Sequence, residues 1–329
     1  MTKYRFLVSL LLLAGLAASC SKDDLNESQN AENNRVVLTV NAGDAQGAVL
    51  KSAPQLRSAS GDLQLAGYSL RYICEVFKES GNGVSFYREE RLVTDASQPE
   101  NFEFDVPDAG GYGAVLWADY VADDASKTYA HYDNKFYTTG YMTEQSLRYI
   151  QINPVAYAVN TPARDAFFAK KIFTKVAGTP LNLGDITLKR PFGRINIIET
   201  DEAMRTNLNY INISYKVPLT FRPLTGAISG EQTVALNNIQ SFPDASAEKA
   251  NLFYDYVFAP ESGQHLLPAI TVQYVMQGNP TVNTSTIPAN MPVERNKRTN
   301  ISGNLIINTS ATSLSVELDD AWTTPDINN

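Results

Sequence analysis

Apolar and polar residues alternate over short runs along most of this chain. In FEFDV (102–106), Phe102, Phe104 and Val106 fall on one face, and in INISYKV (211–217) Ile211, Ile213, Tyr215 and Val217 do. LFYDYVF (252–258), ITVQYVM (270–276) and LSVEL (314–318) keep the same period of two. Successive side chains of a strand point to opposite faces, so this spacing predicts half-buried β-strands. YSLRYICEVF adds another, with Tyr68, Leu70, Tyr72, Cys74 and Val76 aligned.

Turn chemistry separates these runs. Asn82-Gly83 in ESGNGVSF predicts a tight hairpin; its glycines lack the lysine and following helix of a phosphate loop. RPLTGAISGE predicts a turn after a strand ending near Phe221. Helix is scarce. TPARDAFFAKKIF is a candidate, with Thr161 as N-cap and Pro162 at the first position. ETDEAMRTNL is a second, with Asp201 and Glu202 in its first turn. Many short strands spaced by turns predict β-sandwiches, and the length suits two of them. The expected organisation is a signal over 1–19, a flexible polar tether over 20–34, and sandwich domains over 35–187 and 188–329.

The N-terminus breaks this alternation. Lys3 and Arg5 precede an apolar stretch from Phe6 to Leu16, followed by small residues up to Ser19. This is the pattern of an export signal, too short for the roughly 20 apolar residues of a membrane span. Cys20 follows at once and resembles the lipidated cysteine of bacterial lipoproteins. Several acyl chains, each methylene contributing about 0.8 kcal/mol, anchor a protein without a transmembrane helix. Ser21-Lys22-Asp23-Asp24 resembles the charged signal that sends some such lipoproteins to the cell surface. Removing residues 1–19 leaves 25 basic residues against 35 acidic ones, a net charge of −10. That charge speaks against nucleic acid as a partner. Cys74 is then the sole thiol and reads as a core residue.

Few residues offer a site for catalysis or metal binding. His131 and His265 are the only histidines and read as surface residues. Asp119, Asp123 and Asp124 raise calcium, but the spacing and glycine of a calcium loop are missing. Carboxylate pairs for glycosidase work assemble in space and stay open, with no pair singled out. Arg295, Lys297 and Arg298 form either a basic patch for anionic glycans or a charged loop before a strand. The 17 tyrosines are either sugar platforms or core. The sequence predicts no enzyme, no metal site and no cofactor.

Taken together, YSLRYICEVF, AVLWADYV, RDAFFAKKIF, ITLKRPFGRINI, VPLTFRPLTG, YDYVFA and RNKRTNISGNLI resemble the fimbrillin-like proteins of Bacteroides-type bacteria. The resemblance spans roughly residues 36–322 and implies an all-β fold of two transthyretin-like β-sandwich domains in tandem, with few short helices. It also implies assembly by strand exchange. A protease cuts after an arginine, the first strand leaves its groove, and a strand from another subunit replaces it. Carried over, RVVLTVN (35–41) is the removable strand, through Val36, Leu38 and Val40, and Arg57 is the candidate processing site. The TTPDINN that follows Trp322 is short and polar for a donor strand, unless the donor lies earlier, around LSVELDDAW. A tip, anchor or accessory subunit is therefore expected rather than a shaft subunit. Expected partners are other pilus subunits or surface ligands, with the lipid holding the chain at the outer membrane or in a fimbrium. The alternative is a monomeric surface lipoprotein that binds glycans or proteins.

Overall fold

The computed structural model describes residues 33–43, 65, 67–79, 85–124, 127–128, 131–140, 146–240, 251–306 and 314–319. The first half carries β1 (Arg35–Asn41), β2 (Tyr68–Lys78), β3 (Ser85–Val93), β4 (Glu100–Asp105) and β5 (Gly110–Ala122). The short strands β6 (Lys127–Thr128), β7 (His131–Tyr132), β8 (Tyr137–Thr138) and β9 (Ile150–Ile152) lead to β10 (Ala166–Lys175) and β11 (Leu181–Thr187). The second half carries β12 (Phe192–Glu199), β13 (Leu208–Arg222), β14 (Ala227–Ile239), β15 (Asn251–Phe258) and β16 (His265–Leu267). It ends with β17 (Ile270–Met276), β18 (Asn279–Ile287), β19 (Met291–Val293), β20 (Arg298–Gly303) and β21 (Ser315–Asp319). The fold is an all-β sandwich.

Four sheets do most of the work. An antiparallel sheet runs β10-β5-β2-β3, and a three-stranded sheet β11-β1-β4 packs against it. The contact includes Tyr87 stacked on Phe104 at 4.9 Å and Arg91 over the Phe102 ring at 4.1 Å. Among later strands, β15-β12-β20-β21 packs against β18-β17-β13-β9-β8, with β14 on the other side of β13. Tyr215 on β13 meets Phe253 on β15 at 6.1 Å. By pairing, β8 and β9 belong with these later strands although they precede residue 187.

The predicted alternation holds in β4, β13 and β17, but not in β21, where Val316 is exposed. Phe102, Phe104 and Val106 are buried, as are Ile211, Ile213, Tyr215 and Val217. It fails in β15, which is buried along its whole length. Asp255 lies inside there because it is fully bonded: it accepts from Arg164, from the hydroxyls of Tyr157 and Tyr215, and from the Tyr256 amide. Strand β2 is likewise buried on both faces. Its Arg71 pairs with Asp119 through two bonds of 2.9 and 2.8 Å and with Glu90 at 3.3 Å. Glu75 takes the Leu147 amide at 2.8 Å and the Arg88 guanidinium at 2.8 Å. Burial opposes the charge on Arg71, but Asp119 and then Glu90 outweigh it and raise its pKa. Removing one partner of such a buried pair costs about 3–5 kcal/mol, because the other charge is left uncompensated.

Two expected helices fared differently. Asp201 caps a single turn, Glu202–Thr206, by accepting from the amides of Ala203 and Met204 at 2.9 and 3.1 Å. Near Thr161 only a 3-10 turn forms, Pro162–Arg164, and Thr161 makes no side-chain cap bond. The Ala-Phe-Phe-Ala that follows is buried on both sides and continues as β10. Strand pairing with β5 overrides the local start signal. The turn after Phe221 lies as predicted, with β14 beginning at Ala227 and Gly226 at φ +71°. β2 and β3 pair antiparallel, as Asn82-Gly83 predicts, although those two residues lie outside the described ones.

One aromatic chain ties the two halves. Trp117 meets Tyr137 edge-on at 5.4 Å, and Tyr137 stacks on Phe192 at 5.7 Å. Phe192 stacks on Phe258 at 4.9 Å, Phe258 on Phe221 at 5.5 Å, and Phe221 meets Phe168 at 4.8 Å. Arg295 lies over both Phe168 and Phe221, donating to the Ala259 and Gly226 carbonyls at 2.7 Å each. Burial lowers its pKa to about 10.

Candidate functional site

Strand β1 occupies a seat between two strands far from it in sequence. It is antiparallel to β4, with Val36 opposite Phe104 and Leu38 opposite Phe102. It is parallel to β11, with Val36 opposite Leu181 and Val40 opposite Ile186. The period-two pattern of RVVLTVN puts Val36, Leu38 and Val40 inward, each fully buried. Full burial contributes roughly 1.5–3 kcal/mol per side chain of this size. Those three residues therefore supply most of the apolar hold on the strand.

Polar contacts fix its ends and register. The Thr39 hydroxyl donates to Asn101 Oδ1 at 2.8 Å. Arg35 pairs with Glu103 at 2.6 Å, but both side chains are half exposed, so this pair contributes little. Before the strand, the Val106 amide donates to the Asn34 carbonyl at 2.9 Å. The Lys175 ammonium, buried at the end of β10, donates to the carbonyls of Asn33, Val176 and Thr179 at 3.4, 2.8 and 2.6 Å. Burial lowers its pKa. After the strand, the Leu188 amide donates to the Asn41 carbonyl at 3.2 Å. Gly43 follows at φ +52°, where a Cβ would lie 2.4 Å from Thr187 Cγ2 and 2.5 Å from the Leu188 carbonyl oxygen. Only glycine closes the strand there.

With β1 absent, β4 and β11 would present two facing, unpaired edges and an apolar floor. A strand that fills them must run antiparallel to one edge and parallel to the other, with every second residue apolar. Main-chain bonds would supply affinity and the inward positions specificity.

Of the residues the sequence singles out, Val36, Leu38 and Val40 come together in this seat, while Cys20 and Arg57 lie outside the described residues. Asp119 is committed to Arg71, and Asp123 accepts from the Ser69 hydroxyl at 2.8 Å. Among the described residues no group of three or more His, Cys, Asp or Glu is placed to hold a metal ion. His265 sits on β16 rather than in a loop, and burial lowers its pKa. Arg295 stacks in the aromatic chain, Lys297 pairs with Glu294 at 2.8 Å and Arg298 opens β20, so the three do not form one exposed patch. Cys74 is fully buried, and burial raises its thiol pKa. Sequence reasoning missed Lys175 and Gly43. The signal for Lys175 was its parity with Phe173, both inward on β10.

A family model described as "Family of unknown function (DUF6562)" matches residues 27–329. No curated protein matches the sequence. Among solved structures the chain is similar to a fimbrial assembly protein from Parabacteroides distasonis, at 12% identity and TM-score 0.44, covering 87% of this chain and 98% of that one. It is similar to the tip fimbrial protein Mfa3 from Porphyromonas gingivalis, at 10% identity and TM-score 0.40, covering 87% and 98%. A Bacteroides thetaiotaomicron structure described as a candidate polysaccharide binder (DUF1812) matches at 8% identity and TM-score 0.49, covering 86% and 95%. Among the described residues no helix is long and apolar enough to cross a membrane.

Proposed function

The chain belongs to the DUF6562 family, and we propose that it is a fimbrillin-like surface lipoprotein acting in adhesion or pilus assembly by strand exchange. The observation that carries this reading is the seat of β1. An alternating strand fills a slot between β4 and β11, held by three buried side chains and two ladders. Release begins with a cut at Arg57, and a strand from another subunit then takes the slot. The partners are therefore other subunits or ligands on a neighbouring surface. Cys20 carries the lipid that holds the protein at the outer membrane, facing outward. Two sandwich units divided near residue 187 fit this scheme, with β8 and β9 reaching across the division.

A tip, anchor or accessory place fits better than a shaft place. The other alternating segment near the C-terminal side, β21, pairs with β20 as the outer edge of its own sheet. Its burial is shallow, and Val316 is exposed. A strand with so little apolar face on offer is a poor filler for the β4–β11 slot.

The test is made on cells. Surface fibres are sheared off and probed for this chain beside a Cys20→Ala strain. The reading expects the chain in the sheared fibre fraction, and expects Cys20→Ala to free it from membranes or block its maturation. A chain that partitions into membranes unchanged without Cys20, and never appears in fibres, would overturn both halves.

A further inference from the structure

An open cleft of about 430 Å³ lies between the segment Tyr157–Asn160 and the end of β14. One wall is a β-bulge. Ile211 pairs with Ile239 and Ile213 with Leu236, so Asn237 and Asn238 together stand opposite Asn212. Bulges re-aim side chains out of a ladder and recur beside binding sites. Asn238 is in the left-handed region at φ +55°, and its amide is pinned by Asn212 Oδ1 at 2.9 Å. The facing wall is pinned as well. Asn160, at φ +58°, donates its amide to the Tyr254 carbonyl at 3.1 Å and accepts the Tyr254 amide on Oδ1 at 2.8 Å. Two left-handed asparagines thus line one cleft, each held by bonds that fix the backbone.

The chemistry of the lining narrows what fits. Among the described residues that line it, the only ionisable side chain is Tyr157, whose hydroxyl is committed to Asp255. The described lining therefore offers an ionic ligand no charge. Asn237, Asn238 and Gln240 are exposed, and their side chains have no hydrogen-bond partner among the described residues. Each amide presents a donor pair beside an acceptor, which matches neighbouring hydroxyls that both donate and accept. Between them Leu236 and Ile239, partly buried against the core, give apolar ground for C–H faces. The volume lies within the range of about 300–1,000 Å³ usual for small-ligand sites.

We propose that this cleft binds a neutral oligosaccharide, read by the bulge amides of Asn237 and Asn238 and by Gln240. It names a ligand class for the adhesion part of the functional reading, and it needs no movement of β1. Pinned walls favour this use, since a site already in its bound shape loses less on binding.

The experiment uses the intact folded chain with β1 in place, on an array of neutral, sialylated and sulfated glycans and extended peptides. The proposal expects retention on one or more neutral glycans, with at least about tenfold weaker binding for the Asn237→Ala and Gln240→Ala variants. Both side chains are exposed, so thermal unfolding should be unchanged. An Asn238→Gly variant keeps the left-handed backbone without the amide and should weaken binding likewise. Retention only on acidic glycans, only on peptides, or on nothing overturns the proposal, as does full-strength binding by all three variants. None of these results touches strand exchange, which is read from β1 and not from this cleft.

Discussion

Replacing Asp255 by asparagine is expected to cost the fold about 3–5 kcal/mol, the largest effect of any single substitution considered for this chain. Among the described residues, the Asp255 carboxylate is the only anion bonded to the buried Arg164. Without it the guanidinium keeps the Ala158 carbonyl at 2.8 Å, the Tyr256 carbonyl at 3.3 Å and the Tyr157 ring at 4.0 Å, all uncharged. Burial works against the Arg164 charge, but Asp255 outweighs it and holds the pKa well above the ordinary value. The hydroxyls of Tyr157 and Tyr215 lose their shared acceptor in the same step. The check is urea unfolding followed by tryptophan fluorescence. Trp117 is a fitting reporter, because it packs on Tyr137, whose hydroxyl donates to the Arg164 carbonyl at 2.5 Å. A shift below about 1 kcal/mol would mean that this cluster does not hold the later strands to the segment before β10.

The second large effect belongs to β1. Leu38→Ala removes a fully buried side chain at the middle of the strand and should cost about 2–5 kcal/mol. The neighbouring Thr39→Ala loses one half-exposed hydroxyl bond to Asn101 and should cost only about 0.5–1.5 kcal/mol. The contrast is informative after the chain has been cut between β1 and β2. The cut strand is then held only by its ladders and inward face, so Leu38→Ala should loosen its binding by roughly 30-fold to several thousand-fold. Peptide release measured by size exclusion and mass spectrometry reads this directly. Equal release from both variants would place the hold elsewhere.

How far the sequence could be read follows from what each residue faces. Strands with one wet face announce themselves through alternation, and β1, β4, β13 and β17 lie where that pattern puts them. Strands covered on both faces do not. In β15 and β2 the polar residues Asp255, Arg71 and Glu75 are interior, and their side-chain partners lie 13 to 98 residues away. Nothing local marks them as core. Parallel pairings are hidden for a similar reason: β1 with β11 and β12 with β20 join segments that no turn connects. Strand β1 itself was legible through Val36, Leu38 and Val40, but its neighbours were not. The bulge at Asn237 and Asn238 was invisible, since two asparagines in a strand read as a weak end rather than a wall.

The claim that β1 is exchangeable is tested most directly by limited trypsin digestion with an added, isotope-labelled peptide of sequence RVVLTVN and its flanks. An extended polar loop enters a protease cleft far more readily than paired sheet backbone. The account predicts that trypsin cuts first at Arg57, and that Arg57→Ala resists that cut while folding normally. The cut protein should then take up the labelled strand in place of its own, while uncut protein takes up none. Cleavage elsewhere first, or a cut protein that never accepts the labelled strand, would contradict the account.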